Sequence, residues 1–198
     1  MKSNIHIVGL SKHCAKTILS VIENAAASEK VHTNQFDVYD ENHEVISCLK
    51  AISVYDEGGS KDPSSKDIVD VFITSAPGQC ENALNFLNDN SWLISDANAF
   101  EDLINHPEKV DMFKKIKSHD RHIMITAQEI ASQHGDDRVC GLVLLGAASK
   151  LIPITESSLV KAIYKMLLGK KESIIKSNIE AFRKGKKASE NYLSSELN

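Results

Sequence analysis

The stretch RVCGLVLLGAASK, from Arg138 to Lys150, constrains the fold of this chain more than any other. Leu142, Val143, Leu144 and Leu145 run together between Gly141, Gly146, Ala147 and Ala148, so no face is left for water. A run of about a dozen residues with an Ala pair and no β-branched majority predicts a central buried helix, because strands are usually ~4–8 residues long. Its small residues would let other backbones approach closely. After a break at Pro153, Thr155 reads as an N-cap with Glu156 in the first turn, a pairing that satisfies orphan N–H groups and suits the helix dipole. That helix carries Leu159, Ile163, Met166 and Leu167 as an apolar stripe in need of a partner, and Gly169 ends it. A last helix places Ile175, Ile179 and Phe182 on one face, with Arg183, Lys184, Lys186 and Lys187 around Gly185. The expectation is a buried helix clasped by two amphipathic ones against an open sheet.

Upstream, apolar strands alternate with helical stretches. Ile5, Ile7 and Val8 mark a short strand ending at Gly9, and residues Lys12 to Ser28 read as a helix with Ile18, Leu19, Ile22 and the Ala25–Ala27 run turned inward. This is the strand, turn and helix that opens a nucleotide-binding α/β unit. Between Val31 and Tyr55, β-branched and aromatic residues on either side of Asn42-His43 predict two antiparallel strands. DEGGSKDPSSK, from Asp56 to Lys66, is a loop. Strands are expected at Asp67–Thr74, Trp92–Ser95 and His122–Thr126, with helices through Ala83, Leu84 and Leu87, from Phe100 to about Ser118 with a break near Pro107, and from Ala127. The pattern implies one domain over residues 1–198, a three-layer α/β/α sandwich around a largely parallel sheet.

The order VCGLVLLGAASKLIPITESSLVKAIYKMLLGKKESIIKSNIEAFRKGKKA, Val139 to Ala188, resembles the C-terminal third of the gamma subunit of 2-oxoacid:ferredoxin oxidoreductases, including the indolepyruvate oxidoreductase beta subunit. Val143 to Ala147 match that family's buried helix, and Asn178, Ala181, Phe182 and Gly185 match its final one. The remainder fits in element order. The resemblance implies a pyruvate-ferredoxin oxidoreductase domain III-like fold and a subunit that helps form a pocket while other chains hold thiamine diphosphate and iron–sulphur clusters. Such complexes decarboxylate a 2-oxoacid oxidatively, often onto coenzyme A, and pass electrons to ferredoxin. Alpha and beta subunits or ferredoxin are the implied partners, and self-association is expected of the amphipathic helices.

Against the family, the glycine turn G-x-G-G-Q-G is here Gly9-Leu10-Ser11-Lys12-His13-Cys14, with Gly9 alone retained. Side chains at the lost positions crowd a close backbone approach. Gly9, Ser11, Lys12 and His13 are the candidate cofactor-binding residues, because a hydroxyl and a cation at a helix N-terminus suit an anion. Asp40-Glu41-Asn42 stands where the family has an Arg-Gly-Gly turn, and Ala76-Pro77 where it has Glu-Pro. These losses support a second reading, a diverged binding or assembly module on the same fold.

Other chemistry is thinly represented. The net charge of −4 argues against a nucleic-acid binder, since phosphate contacts require a basic face. No stretch approaches the ~18 apolar residues of a membrane span, and no signal-peptide pattern opens the chain, so a cytoplasmic protein is expected. Cys14, Cys48, Cys80 and Cys140 lie far apart without C-x-x-C, so clusters would sit on another chain. His119, Asp120 and His122, with His134 downstream, are residue types that bind zinc, but they straddle a loop-to-strand junction with no second metal-spaced pair; no metal site is expected. Cys80 falls near a predicted helix N-terminus, where a thiolate is stabilised, but a buried, inert cysteine is the favoured reading, and the sequence does not place the third group that a triad on His13-Cys14 needs; no catalytic residue is assigned. The basic cluster at 183–187 suits an acidic partner, a solvated helix face or a helix C-terminus.

Overall fold

The computed structural model describes residues 2–8, 12–39, 45–55, 69–75, 86–100, 107–135 and 139–196. Six strands form one sheet, in the order β2-β3-β1-β4-β5-β6. Strand β1 (Lys2–Val8) pairs in parallel with β4 (Val71–Thr74), β4 with β5 (Trp92–Asp96), and β5 with β6 (His122–Ile125). Ile7, Ile73, Ile94 and Ile123 stand side by side across this block, a continuous β-branched row. On the other side of β1, β3 (Val45–Tyr55) and β2 (His32–Tyr39) run as the antiparallel ribbon that the sequence predicts, with a register shift between Asp37 and Tyr39.

Every residue of β4 is buried, as befits a parallel strand covered on both faces. Alternate side chains serve two cores. Ile73, Ile94, Ile123 and Ile125 join the core shared with α1 (Lys12–Ser28), while Phe72, Leu93 and Met124 meet Phe100, Met112 and Ile116 on the opposite face. Phe100 closes a 3-10 turn at Ala97–Phe100, and Met112 and Ile116 belong to α2 (Pro107–Lys117). Pro107 stands at the first position of that helix, where proline fits, and residues 101–106 of the helical stretch expected from Phe100 lie outside the described residues. The expected helix through Ala83 and Leu84 and the loop from Asp56 to Lys66 lie outside the described residues.

The apolar run at Cys140–Ala148 is helix α4, and all nine of its residues are buried. It rests on β4 and β5, is flanked by α1 and by α3 (Ala127–Gln133), and is covered by α6 (Glu172–Glu196). The two covering backbones touch. A Cβ built on Gly146 would lie 1.9 Å from the carbonyl oxygen of Phe182, and one built on Gly185 would lie 1.9 Å from that of Val143. Ala181, Gly185 and Ser189, four residues apart and all buried, form the matching strip of small residues on α6.

Helix α5 (Glu156–Met166) departs from the expected clasp, packing chiefly against α1 and less against α6 rather than on α4. Leu159 and Ile163 are buried there, but Met166 is 36% exposed because the last turn of α5 overhangs a cavity instead of a neighbouring helix. The joint to α1 is polar. Thr155 caps α5 by accepting the N–H of Ser158, while its own N–H, at 2.9 Å, and its hydroxyl both donate to the Glu29 carboxylate. Partial burial works to raise the pKa of Glu29, but the hydrogen bonds from Thr155 and Ser158 outweigh it and hold the carboxyl below its ordinary value.

Two expected outcomes follow from these contacts. Gly146→Ala and Gly185→Ala should each cost ~3 kcal/mol or more, since a methyl group against a backbone carbonyl forces the helices apart. Chemical denaturation reads this, and a cost below ~1 kcal/mol for both would mean that α4 and α6 do not touch. For Glu29, a folded-state pKa below the unfolded one makes its contribution complete above about pH 4.3 and lost as pH falls through the folded value. The melting-temperature advantage of the wild type over Glu29→Gln should therefore shrink between about pH 6 and pH 3. A constant difference would contradict the carboxylate contact.

Candidate functional site

Parallel strands deliver their C-terminal ends to one edge of the sheet, where open α/β folds hold their ligands. Thr74, Ser75, Ser95 and Asp96 gather at this edge, and all four are buried. Asp96 is 1% exposed, and its Oδ1 accepts the backbone N–H of Asn98 at 3.1 Å and of Ala127 at 2.9 Å. Asn98 Oδ1 in turn accepts the N–H of Glu129 at 3.2 Å. Thr126, at the N-cap of α3, makes no capping bond with its own side chain, and the first turn of α3 is met instead by Asp96 at the end of β5 and Asn98 just beyond it.

Ser95 precedes Asp96 and faces the opposite layer, between Thr74 and Met124 in register. Its Oγ is buried without a hydrogen-bond partner. Asp96 Oδ1 thus joins the end of β5 to the first turn of α3 at the described edge. Among the described residues no group of three His, Cys, Asp or Glu side chains is placed to hold a metal ion.

Of the candidate cofactor-binding residues, Gly9 and Ser11 lie outside the described residues, while Lys12 and His13 open α1 with their side chains outside them too. Strand β1 ends at Val8, which pairs with Thr74 at the same edge as Asp96, and α1 begins at Lys12. Cys140 is buried in α4; Cys80 lies outside the described residues, as do the side chains of Cys14 and Cys48.

The histidines do not converge. His119 Nε2 donates to the Ser91 carbonyl at 2.7 Å, and His122 Nδ1 donates to the His119 carbonyl at 2.6 Å. That bond leaves His122 Nε2 to accept from the Tyr192 hydroxyl at 2.7 Å, and Lys117 Nζ donates to the same hydroxyl at 2.9 Å. This network ties α6 to the start of β6, at the edge opposite Asp96. His134 stands elsewhere, its carbonyl accepting from Ser177 Oγ at 3.0 Å. The basic cluster is likewise divided: Arg183, Lys184 and Lys187 are exposed in mid-helix, whereas Lys186 pairs with Glu156 at 2.5 Å. The hydrogen bond with Glu156 holds the Lys186 pKa above its ordinary value, with burial working against it. Because α6 continues to Glu196, none of the four serves a helix C-terminus.

Asp96 and Tyr192 were not legible as special. The signal for Asp96 was present in Asp96-Ala97-Asn98, an Asx-type turn pattern directly after an apolar strand. Asp96→Ala should cost about 2 kcal/mol through two backbone donors left unmet, and Asp96→Asn less, since an amide oxygen still accepts. Faster exchange of the Ala127 amide in the alanine variant is the diagnostic reading; unchanged exchange would remove Asp96 from the joint.

A family model described as pyruvate ferredoxin/flavodoxin oxidoreductase matches residues 4–188. No curated protein matches the chain. Among solved structures, the gamma subunit of a keto/oxoacid ferredoxin oxidoreductase from Geobacter sulfurreducens aligns with a TM-score of 0.69 at 15% identity, covering 96% of this chain and 99% of that one. A pyruvate oxidoreductase subunit from Thermotoga maritima aligns at 0.65 and 19% identity, covering 94% and 96%. The 2-oxoglutarate:ferredoxin oxidoreductase from Magnetococcus marinus, solved with 2-oxoglutarate, coenzyme A and succinyl-CoA, aligns at 0.74 and 19% identity over 96% of this chain. The present chain spans only 31% of that longer one. With the sheet order and buried α4 in place, the match over residues 4–188 shows that the chain belongs to the pyruvate ferredoxin/flavodoxin oxidoreductase family, with the fold of its gamma subunits.

Proposed function

We propose that this chain is the gamma-type subunit of a 2-oxoacid:ferredoxin or indolepyruvate oxidoreductase complex in the cytoplasm, its residues 1–198 acting as one domain. The observation that carries this reading is end-to-end alignment: the gamma subunit of Geobacter sulfurreducens is covered over 99% of its length by a chain whose family match runs from residue 4 to residue 188. Partner chains supply thiamine diphosphate for decarboxylation and iron–sulphur clusters for the electrons. The four cysteines here are too far apart in sequence to form a cluster motif, so electron transfer belongs to those partners. The chain's own part is architectural: Asp96 and Asn98 hold α3 at the C-terminal edge of the sheet, where an anionic group such as that of coenzyme A would meet the opening of α1 at Lys12.

A second reading has its own observation. The stretches Gly9-Leu10-Ser11-Lys12-His13-Cys14 and Asp40-Glu41-Asn42 both replace glycine-bearing family motifs, as expected of an assembly module that keeps the fold without the pocket. One experiment separates them. The tagged chain, isolated from its native host, should bring down protein-bound thiamine diphosphate, read by its fluorescence after oxidation, together with iron–sulphur absorbance. The recombinant chain alone should reduce no dye with pyruvate and added thiamine diphosphate. A tagged chain that emerges without either cofactor would exclude the oxidoreductase complex in favour of the assembly module.

A further inference from the structure

The large apolar side chains that stand exposed among the described residues are Tyr164 at 50%, Met166 at 36%, Leu168 at 61% and Ile174 at 43%. All four fall in the single span from the last turn of α5, through Gly169, to the first turn of α6. Beside them opens a cavity of about 660 Å³, with Met166 and Ile174 at its mouth, Val139 and Leu142 deeper, and Lys170 and Asn178 on its rim. Exposed apolar groups gathered around a concavity mark an interaction site, whereas the same groups scattered singly would not.

Charge identifies the occupant. The span carries Lys165, Lys170 and Lys171 against one acid, Glu172, and that acid is engaged by Lys176 at 2.7 Å. Lys161 adds a further exposed ammonium one turn earlier on α5. A second copy docking through the same span would set lysines against lysines, which opposes a two-fold contact. A flat lipid surface would leave the cavity unfilled. Resting on the reading of the chain as one subunit of a complex, we propose that the α5–α6 turn is a docking surface for another protein chain of that complex, one that inserts an apolar side chain between Met166 and Ile174 and surrounds it with carboxylates.

The test uses the tagged chain expressed in its native host, comparing wild type with Leu168→Asp/Ile174→Asp and with Lys165→Glu/Lys170→Glu. All of these positions are exposed, so thermal melting should be unchanged. Each pair should lower recovery of the thiamine- and cluster-bearing chains roughly tenfold or more, as removal of a central anchor does. Wild type recovering neither chain would defeat the complex itself. Wild type recovering both, with the variants equal to it, would defeat the docking surface alone. Two further readings would also overturn it: Leu168-dependent binding of the purified chain to phosphatidylglycerol vesicles, which makes the span a membrane contact, or a dimer in sedimentation that only the variants dissociate, which makes it a self-contact.

Discussion

Two helices in backbone contact hold this molecule together. Gly146 on α4 and Gly185 on α6 remove the side chains that would otherwise keep their axes 8–10 Å apart, the ordinary spacing of packed helices. With α6 that close, α4 has protein on every side: sheet beneath, α1 and α3 beside, α6 above. A helix without one polar side chain is tenable only in such a place. The leucines of α4 could not be shared with solvent, so the position of α6 is as necessary to the fold as any strand of the sheet.

Much of this arrangement could be read from residue pattern, because burial leaves a local trace. The four consecutive apolar residues from Leu142 to Leu145 exclude a wet face, the span Lys12–Ser28 is bounded as the helix is, and Thr155 with Glu156 marks the start of α5 in its own residue types. What a pattern cannot carry is the identity of a partner. Periodicity shows that Leu159 and Ile163 face something apolar, yet whether that is α4 or α1 depends on a contact between Glu29 and Thr155 across 126 residues. Met166 shares their periodicity but ends above a cavity. The site is harder still. Asp96 acts through Ala127, thirty-one positions away, and His122 through Tyr192, seventy away, so neither pairing has a local signature.

Polar groups at the two ends of the sheet divide the labour. At the C-terminal ends of the strands, Asp96 and Asn98 accept the N–H groups of α3 and fix its orientation over the parallel block. At the other end, His119 and His122 bond to carbonyls of Ser91 and His119, and Tyr192 draws the far end of α6 into the same network with Lys117. Two imidazoles close in sequence, which look like chemistry, are here fasteners.

The lid-like position of α6 also sets the order in which the chain can mature. Strands β1 to β6 and helices α1 to α5 are all synthesised before Gly185 reaches the ribosome's exit, so the nascent protein carries α4 as a bare greasy rod until its cover arrives. Contacts between distant segments close late in any case. Here the lateness leaves the stickiest helix of the chain naked, a transient apolar surface of the kind that makes incomplete polypeptides prone to aggregate.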